Sequence, residues 1–333
     1  MKLFLLGDFE SDNGPGNANK QIRDSIAAEY NVIYSQRSGR IGRILEMYKG
    51  IEKSDLLIIC SKSNINFSAI RAAKRQEKKI IYLMHGYASQ EAQIANPTIT
   101  IEQLEQIERY ESIVYGAADC IVCVSKKCME YMQRQLPQYK NKIDYIYNVV
   151  DIDYIKKICI SNPPIKKKNK VLSVGGGMRQ KNNLTVARAI KGCTDYIEYV
   201  VVGTCQEDGE EIQKIDCVTW MDHLSHEKLL RLMYECSLYI QNSTFETFGL
   251  SVIEALYAGC SLLISNEVGC LDIFDSLSDE DIIYDVSDVD EIYKKIEHLL
   301  LNPNNKRLLS GFKEEKVSKS FQAGRWKKII DKT

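Results

Sequence analysis

Charge of one sign is missing: 44 Lys and Arg face 45 Asp and Glu, for a formal net charge of −1. That balance gives no support to nucleic-acid binding, which leaves a basic footprint. No apolar run reaches the length of a membrane-spanning helix, and Met1-Lys-Leu-Phe-Leu-Leu-Gly7 breaks too early for a signal peptide. Histidine is scarce, and His223 and His226 have no cysteine or acidic cluster beside them to complete a ligand set. Cys120-Ile-Val-Cys123 lies in an apparent strand, where residues three apart point to opposite faces, so no metal or redox site is expected there. The 11 cysteines follow no regular framework and, without an export signal, read as reduced cytosolic thiols. Proline numbers only six, and two of these stand together at Pro163-Pro164.

What is present is an ordinary globular composition, 44% hydrophobic and 27% charged, in a 333-residue chain long enough for two domains. Lys2–Gly7 reads as an opening buried strand, and 55–60 and 79–84 as further parallel strands around a basic helix at 69–78. Gly14 and Gly16 fall between the first strand and a helix expected over 19–29. Glycine permits close backbone approach there, although Gly-Pro-Gly by itself is also an ordinary turn. His85 directly follows the strand at 79–84, the end at which doubly wound sheets place ligands; a structural histidine is the competing reading. The polar stretch 161–169 reads as a linker. Lys170–Gly175 then opens a second Rossmann-like unit, and its glycine run leads to Arg179 and Lys181 beside a helix N-terminus.

The central stretch is Ser243-Thr-Phe-Glu-Thr-Phe-Gly-Leu-Ser-Val-Ile-Glu-Ala-Leu-Tyr-Ala-Gly259. It follows the apolar run 238–241 and reads as strand, loop, helix, with Ser243 and Thr244 as helix starters. Glu246 falls in the loop and Glu254 on the helix, with seven residues between them. A helix N-terminus in such a loop suits a phosphate. Alone, two glutamates at this spacing read as a solvated helix face; Thr247-Phe-Gly-Leu250, Ala258-Gly259 and the buried run 261–265 argue for more.

At these residues the sequence resembles the retaining GT-B glycosyltransferases of glycosyltransferase family 4. Their E-x7-E signature is met by Glu246, Phe248, Gly249, Leu250, Glu254, Ala255, Tyr257 and Gly259. More weakly, 118–125 resembles the end of their first domain, and 142–151 matches K-I-x-V-I-x-N-G-V-D with Val149 in place of glycine. Where the family writes G-R-L-x-x-x-K-G, aligning Lys181 with the lysine puts Gly176 at the arginine position, which weakens the assignment of Arg179 as its replacement.

The resemblance implies an α/β, GT-B fold of two Rossmann-like domains with an inter-domain cleft. Expected are an acceptor domain at 1–160, a donor domain at 168–314, and a last helix of about 315–333 returning to the first domain with Trp326 as anchor. The implied catalytic residues are His85, Glu246 and Lys181. The implied donor-binding residues are Gly14, Gly16, Arg179, Lys181, Phe248, Gly249, Leu250 and Glu254, with no metal and no cofactor, the nucleotide sugar being a substrate. The implied activity is retaining transfer of a sugar, in the hexosyltransferase class, from a nucleotide-sugar donor to a glycan or lipid-linked acceptor. A GT-B nucleotide-sugar 2-epimerase and a non-catalytic GT-B binding subunit are the alternatives. Low proline with abundant Ile, Lys and Asn gives a bacterial look, and with the resemblance this implies a role in surface polysaccharide synthesis; the location expected is cytoplasmic. Arg37, Arg40, Arg43 and Lys49, like Arg71, Lys74, Arg75, Lys78 and Lys79, read most simply as solvated surface. The alternative is peripheral attraction to an anionic inner leaflet, which would suit a lipid-linked acceptor.

Overall fold

The apolar runs of the chain are parallel strands buried on both faces, which is why they read as continuous rather than alternating. A computed structural model describes residues 1–11, 14–37, 39–160, 165–192 and 196–333. In the first sheet β1 (Lys2–Leu6), β2 (Asn31–Tyr34), β3 (Leu56–Ile59), β4 (Lys79–Met84), β5 (Cys120–Cys123) and β6 (Ile143–Tyr145) stand in the order β2-β1-β3-β4-β5-β6. In the second, β7 (Lys167–Val174), β8 (Glu198–Val202), β9 (Val218–Met221), β10 (Cys236–Gln241), β11 (Ser261–Ser265) and β12 (Ile282–Ile283) run β12-β11-β10-β7-β8-β9. Every strand pair in both is parallel.

The connections are helical, as parallel crossovers require. Those of the first sheet are α1 (Gly14–Ile26), α2 (Arg40–Glu52), α3 (Ile65–Arg75), α4 (Ala88–Ala95), α5 (Ile101–Ala117) and α6 (Lys126–Gln135). The second has α7 (Ile152–Ile160), α8 (Asn183–Ile190), α9 (Gly209–Gln213), α10 (His226–Glu235), α11 (Leu250–Tyr257), α12 (Val289–Leu301) and α13 (Asn305–Ser310), before the last helix α14 (Lys319–Lys332). Local capping fixes several starts: Thr100 and Gln103 form a reciprocal capping box on α5, and Asp288 accepts from the Glu291 N–H on α12.

Chain packing separates two units, 1–93 with 98–150 and 314–333, and 94–97 with 151–313. Each has its own core: Phe4, Leu57, Ile80 and Ile121 in the first, Val171, Tyr199, Leu238 and Leu263 in the second. α7 groups with the second unit rather than with residues 1–150, because its buried Ile152 and Ile155 belong to a helix packed on α10 and α11. Of the expected linker, 161–164 lies outside the described residues, and Lys167–Asn169 already form the start of β7, where Lys167 pairs with Glu198.

α14 packs on α1 within the first unit, Trp326 is fully buried, and Asp331 accepts a hydrogen bond from the Tyr30 hydroxyl at 3.0 Å. Truncating a buried indole removes its transfer energy and leaves a cavity. Trp326→Ala is expected to destabilise the chain by about 3–5 kcal/mol, read from urea unfolding. An unchanged midpoint would mean that α14 contributes nothing to the fold.

Candidate active site at the switch point of the second sheet

In a doubly wound sheet, ligands bind beyond the carboxyl ends of the strands where the strand order reverses. In the second sheet that point lies between the neighbours β7 and β10. The loop after β7 carries Arg179 and Lys181, and the loop after β10 carries Glu246. The two loops are stitched together by backbone. The Thr244 N–H donates to the Gln180 carbonyl at 2.9 Å, and the Gln180 side chain donates to the Phe245 carbonyl at 3.0 Å. This register brings the Lys181 ammonium onto Glu246 Oε2. Gln241, the last residue of β10, donates to the same oxygen at 2.8 Å, and the Phe248 N–H reaches Glu246 Oε1 at 3.4 Å. Both charged side chains are largely buried, at 19% exposure for Lys181 and 13% for Glu246. Such a pair is costly to desolvate, and its partners offset that cost.

Ser243 and Thr244 do not start a helix. Ser243 is fully buried with its carbonyl accepting from the Ser265 hydroxyl at 2.6 Å, and the Thr244 N–H is spent on Gln180. Glu246 instead lies in an extended bridge to Val268, and α11 begins only at Leu250. Gly249 makes the entry with φ +95, where a Cβ would also press on the Val268 side chain at 2.8 Å. Phe248 is buried beneath this turn, and Leu250 opens the helix. The first N–H groups of α11 have no acceptor within their own helix, so the loop presents donors and a positive dipole end beside Lys181 and Glu246.

One turn into α11, Glu254 meets His226 at the start of α10, Nε2 to Oε1 at 2.7 Å. The imidazole stacks on Tyr154 of α7, with ring centroids 5.7 Å apart. The sequence considered His226 only as a metal ligand. Its contact with Glu254 depends on how α10 and α11 pack and left no local signal. Gln241 did leave one, a polar side chain closing an apolar strand.

The glycine run makes a tight turn after β7. Gly175 and Gly176 donate their N–H groups to the Val202 carbonyl at 2.8 and 2.9 Å, and Gly177 donates to the Thr204 carbonyl at 3.0 Å. Their backbone is thus committed to the loop after β8 rather than open to a phosphate. A Cβ on Gly177 would stand 1.7 Å from the Cys205 carbonyl oxygen. Arg179 is likewise engaged elsewhere, its guanidinium donating to Asp208 Oδ1 at 3.1 and 3.2 Å.

Comparison with known proteins fits this layout. Residues 11–154 match the family described as Glycosyltransferase Family 4, and 156–314 match Glycosyl transferases group 1. Each half of the chain is thus matched by a glycosyltransferase family model. An N-acetylgalactosamine-N,N'-diacetylbacillosaminyl-diphospho-undecaprenol 4-alpha-N-acetylgalactosaminyltransferase of Campylobacter jejuni is 26% identical over 165 residues, 46% of this chain and 43% of that protein. Less than two thirds of the length of the curated relatives is spanned. Among solved structures, sucrose-phosphate synthase of Thermosynechococcus elongatus superposes with a TM-score of 0.71 at 15% identity, over 100% of this chain and 98% of that one. Anabaena HepE in complex with UDP-glucose gives 0.68 at 14% identity, over 100% and 99%. These likenesses show the fold, two Rossmann-like α/β units.

In the first unit of this GT-B chain, His85 follows β4 as expected, and its Nε2–H donates to Asn19 Oδ1 at 2.7 Å. Asn19 in turn donates to the carbonyls of Asp8 and Cys60 at 2.9 and 3.2 Å, tying together the loops after β1, β3 and β4. Nothing in the sequence marked Asn19. Gly14 and Gly16 sit in the first turn of α1 rather than in a loop ahead of it, and Asp12 and Asn13 lie outside the described residues. Burial lowers the His85 pKa to about 4 from its ordinary 6.5, so the ring is neutral at pH 7. The unfolded chain takes up that proton first on acidification. Stability from this group is therefore fully present above pH 6.5 and lost as pH falls through about 4. The urea midpoint should fall across that window in the parent and fall less in His85→Asn; equal slopes would contradict the buried neutral ring.

Among the described residues there is no group of three or more His, Cys, Asp or Glu able to hold a metal ion. Among them, too, no helix is long and apolar enough to cross a membrane.

Proposed function

We propose that the chain transfers a sugar from a nucleotide-sugar donor, with retention of anomeric configuration, to a glycan or lipid-linked acceptor in bacterial surface polysaccharide synthesis at the cytoplasmic face. The observation that carries this reading is the meeting of Lys181, Glu246 and the α11 N-terminus at the β7–β10 switch point, with Glu254 one turn further on. Breaking the anomeric C–O bond leaves a charged diphosphate and a cationic sugar. Lys181 and the free N–H groups of α11 neutralise the first, and Glu246 holds sugar hydroxyls and favours the second. Glu254 suits bidentate hydrogen bonding to the ribose diol. The acceptor hydroxyl attacks on the face the diphosphate leaves, its proton passing to the departing phosphate oxygen. No side chain is assigned as nucleophile. His85, neutral at pH 7, is assigned to the same reaction as a hydrogen-bonding group.

Support for the acceptor comes from the Campylobacter relative, whose name describes a diphospho-undecaprenol-linked acceptor, and for the donor from HepE, solved with UDP-glucose. Arg179, implied as a donor-binding residue by the resemblance, is paired with Asp208 as Lys181 is with Glu246.

The test is thermal stability with UDP-, GDP-, ADP- and dTDP-sugars, with and without EDTA, in the parent, Lys181→Ala and Glu254→Ala. Saturating ligand raises the melting temperature by linkage. A shift from one nucleotide class, indifferent to EDTA and lost in both variants, supports the site; no shift from any of them contradicts it. His226→Ala is expected to raise the donor KM by about 3- to 10-fold with kcat little changed, the cost of one hydrogen bond to a charged group. Steady-state kinetics check this, and a fall in kcat at constant KM would contradict a purely positioning role.

A further inference from the structure

β10 ends on a polar side chain that the sheet buries. Gln241 is 3% exposed, where an apolar residue would pack without a desolvation cost, so both ends of its amide need partners. Oε1 accepts from the Tyr239 hydroxyl at 2.9 Å and from the Ser251 hydroxyl at 3.1 Å. Nε2 donates to Ser243 Oγ at 3.3 Å and to Glu246 Oε2 at 2.8 Å. Tyr239 stands two residues before Gln241 on the same strand, hence on the same face of the sheet, and its hydroxyl also lies 2.7 Å from Ser251 Oγ. Ser251 belongs to the first turn of α11. Burial pushes the Tyr239 phenol up, which keeps it a donor.

These contacts decide which way the amide points. A Gln amide turns about a broad, roughly two-fold torsion, so carbonyl and NH2 exchange places unless neighbours select one arrangement. Two hydroxyl donors on one side select the carbonyl there, and the NH2 is left facing Glu246. The carboxylate is consequently asymmetric. Oε2 receives both the Lys181 ammonium and the Gln241 amide, whereas Oε1 receives the Phe248 N–H at a long 3.4 Å. Two donors fill the two lone pairs of Oε2, so Oε1 is the atom with accepting capacity left.

We infer that Gln241 is a positioning residue for the transfer reaction: locked by Tyr239 and Ser251, it holds Glu246 so that Oε1 is the oxygen offered to a hydroxyl of the donor sugar. The inference rests on the reading that Glu246 holds sugar hydroxyls. Because Ser251 lies in the helix turn assigned to the diphosphate, one amide sets the sugar-binding carboxylate in register with the phosphate end of the same donor.

The experiment is calorimetric titration of the full chain with the nucleotide sugar that the thermal panel selects and with its nucleoside diphosphate. The ratio of the two affinities isolates the share of binding that belongs to the sugar. In Gln241→Met the affinity for the bare diphosphate should stay within about threefold, while that ratio falls by about 10- to 100-fold, the scale of one hydrogen bond to a charged group. Tyr239→Phe/Ser251→Ala leaves Gln241 in place but frees its amide to turn, and should lower the ratio by about 3- to 10-fold. Thermal unfolding shows which variants keep their fold, and the double variant, which removes only hydroxyls, gives the answer where Gln241→Met does not fold. In a Glu246→Gln background Gln241→Met should change the ratio by less than about twofold, because it acts through that carboxylate. A merely structural amide would cost the same in both backgrounds. Equal losses in the two backgrounds, an unchanged ratio in Gln241→Met, or an equal loss for both ligands would overturn the inference. A parent that binds no nucleoside diphosphate contradicts the proposed function and this inference with it. A parent that binds both ligands beside an indifferent Gln241→Met contradicts this inference alone.

Discussion

Lys181→Ala and Glu246→Gln are each expected to lower sugar transfer by about 10²- to 10³-fold, the scale set by removing one preorganised group from a charge-developing centre. The two side chains are paired and largely buried before any substrate arrives. Removing either strands the other: without Lys181, Glu246 keeps only Gln241 and the Phe248 N–H, and without the carboxylate Lys181 loses its anchor. Groups that act as one unit are non-additive, so Lys181→Ala/Glu246→Gln should cost little more than the worse single change. A double variant whose loss equals the product of the single losses would mean that the residues act independently. The variants also separate the roles. Lys181→Ala should weaken binding of the bare nucleoside diphosphate more than Glu246→Gln does, whereas Glu246→Gln should act mainly on turnover of the sugar-bearing donor.

Gly176→Arg should fail, although alignment on Lys181 makes it the change that restores the missing family cation. Gly176 has φ +56, and a Cβ there would stand 2.2 Å from the Thr204 carbonyl oxygen and 2.6 Å from the Gly203 carbonyl carbon. Backbone strain and overlap with a neighbouring main chain together cost at least about 2–3 kcal/mol, because neither contact is with a flexible side chain. Expected are a melting temperature lowered by several degrees and no gain in donor affinity. A stable Gly176→Arg variant that binds donor more tightly would show that the glycine run opens in solution and that the family alignment outranks the geometry.

The fold was legible because it rests on buried parallel strands, whose apolar runs at 2–7, 55–60, 79–84, 170–175, 199–203 and 238–241 are local signals. Glu246, Glu254 and Lys181 stood out in the sequence through the family resemblance rather than through spacing alone, the glutamates after β10 and Lys181 after β7. What depended on through-space packing was not. The Gly175–Gly177 run read as a tight strand-to-helix turn, and only its hydrogen bonds to Val202 and Thr204 reveal what it packs against. Arg179 looked free to move to the phosphate, and only the position of Asp208 shows that it is held. Ser243 and Thr244 have the chemistry of helix caps, but the Ser243 hydroxyl accepts from Gln241 and the Thr244 hydroxyl donates to the Gln180 carbonyl instead. Asn19 and His226 act through partners 66 and 28 residues away, a distance over which single-sequence periodicity carries nothing.

The central claim is that the loop joining β10 to α11, with Lys181 opposite it, is a diphosphate site. Calorimetric titration of a nucleoside and its diphosphate, using the base the thermal panel selects, measures this most directly in the parent and in Lys181→Ala. The account predicts that the parent prefers the diphosphate by about 100-fold or more, and that Lys181→Ala loses most of that preference while binding the nucleoside unchanged. The same preference in both proteins would place the phosphates elsewhere and contradict the account.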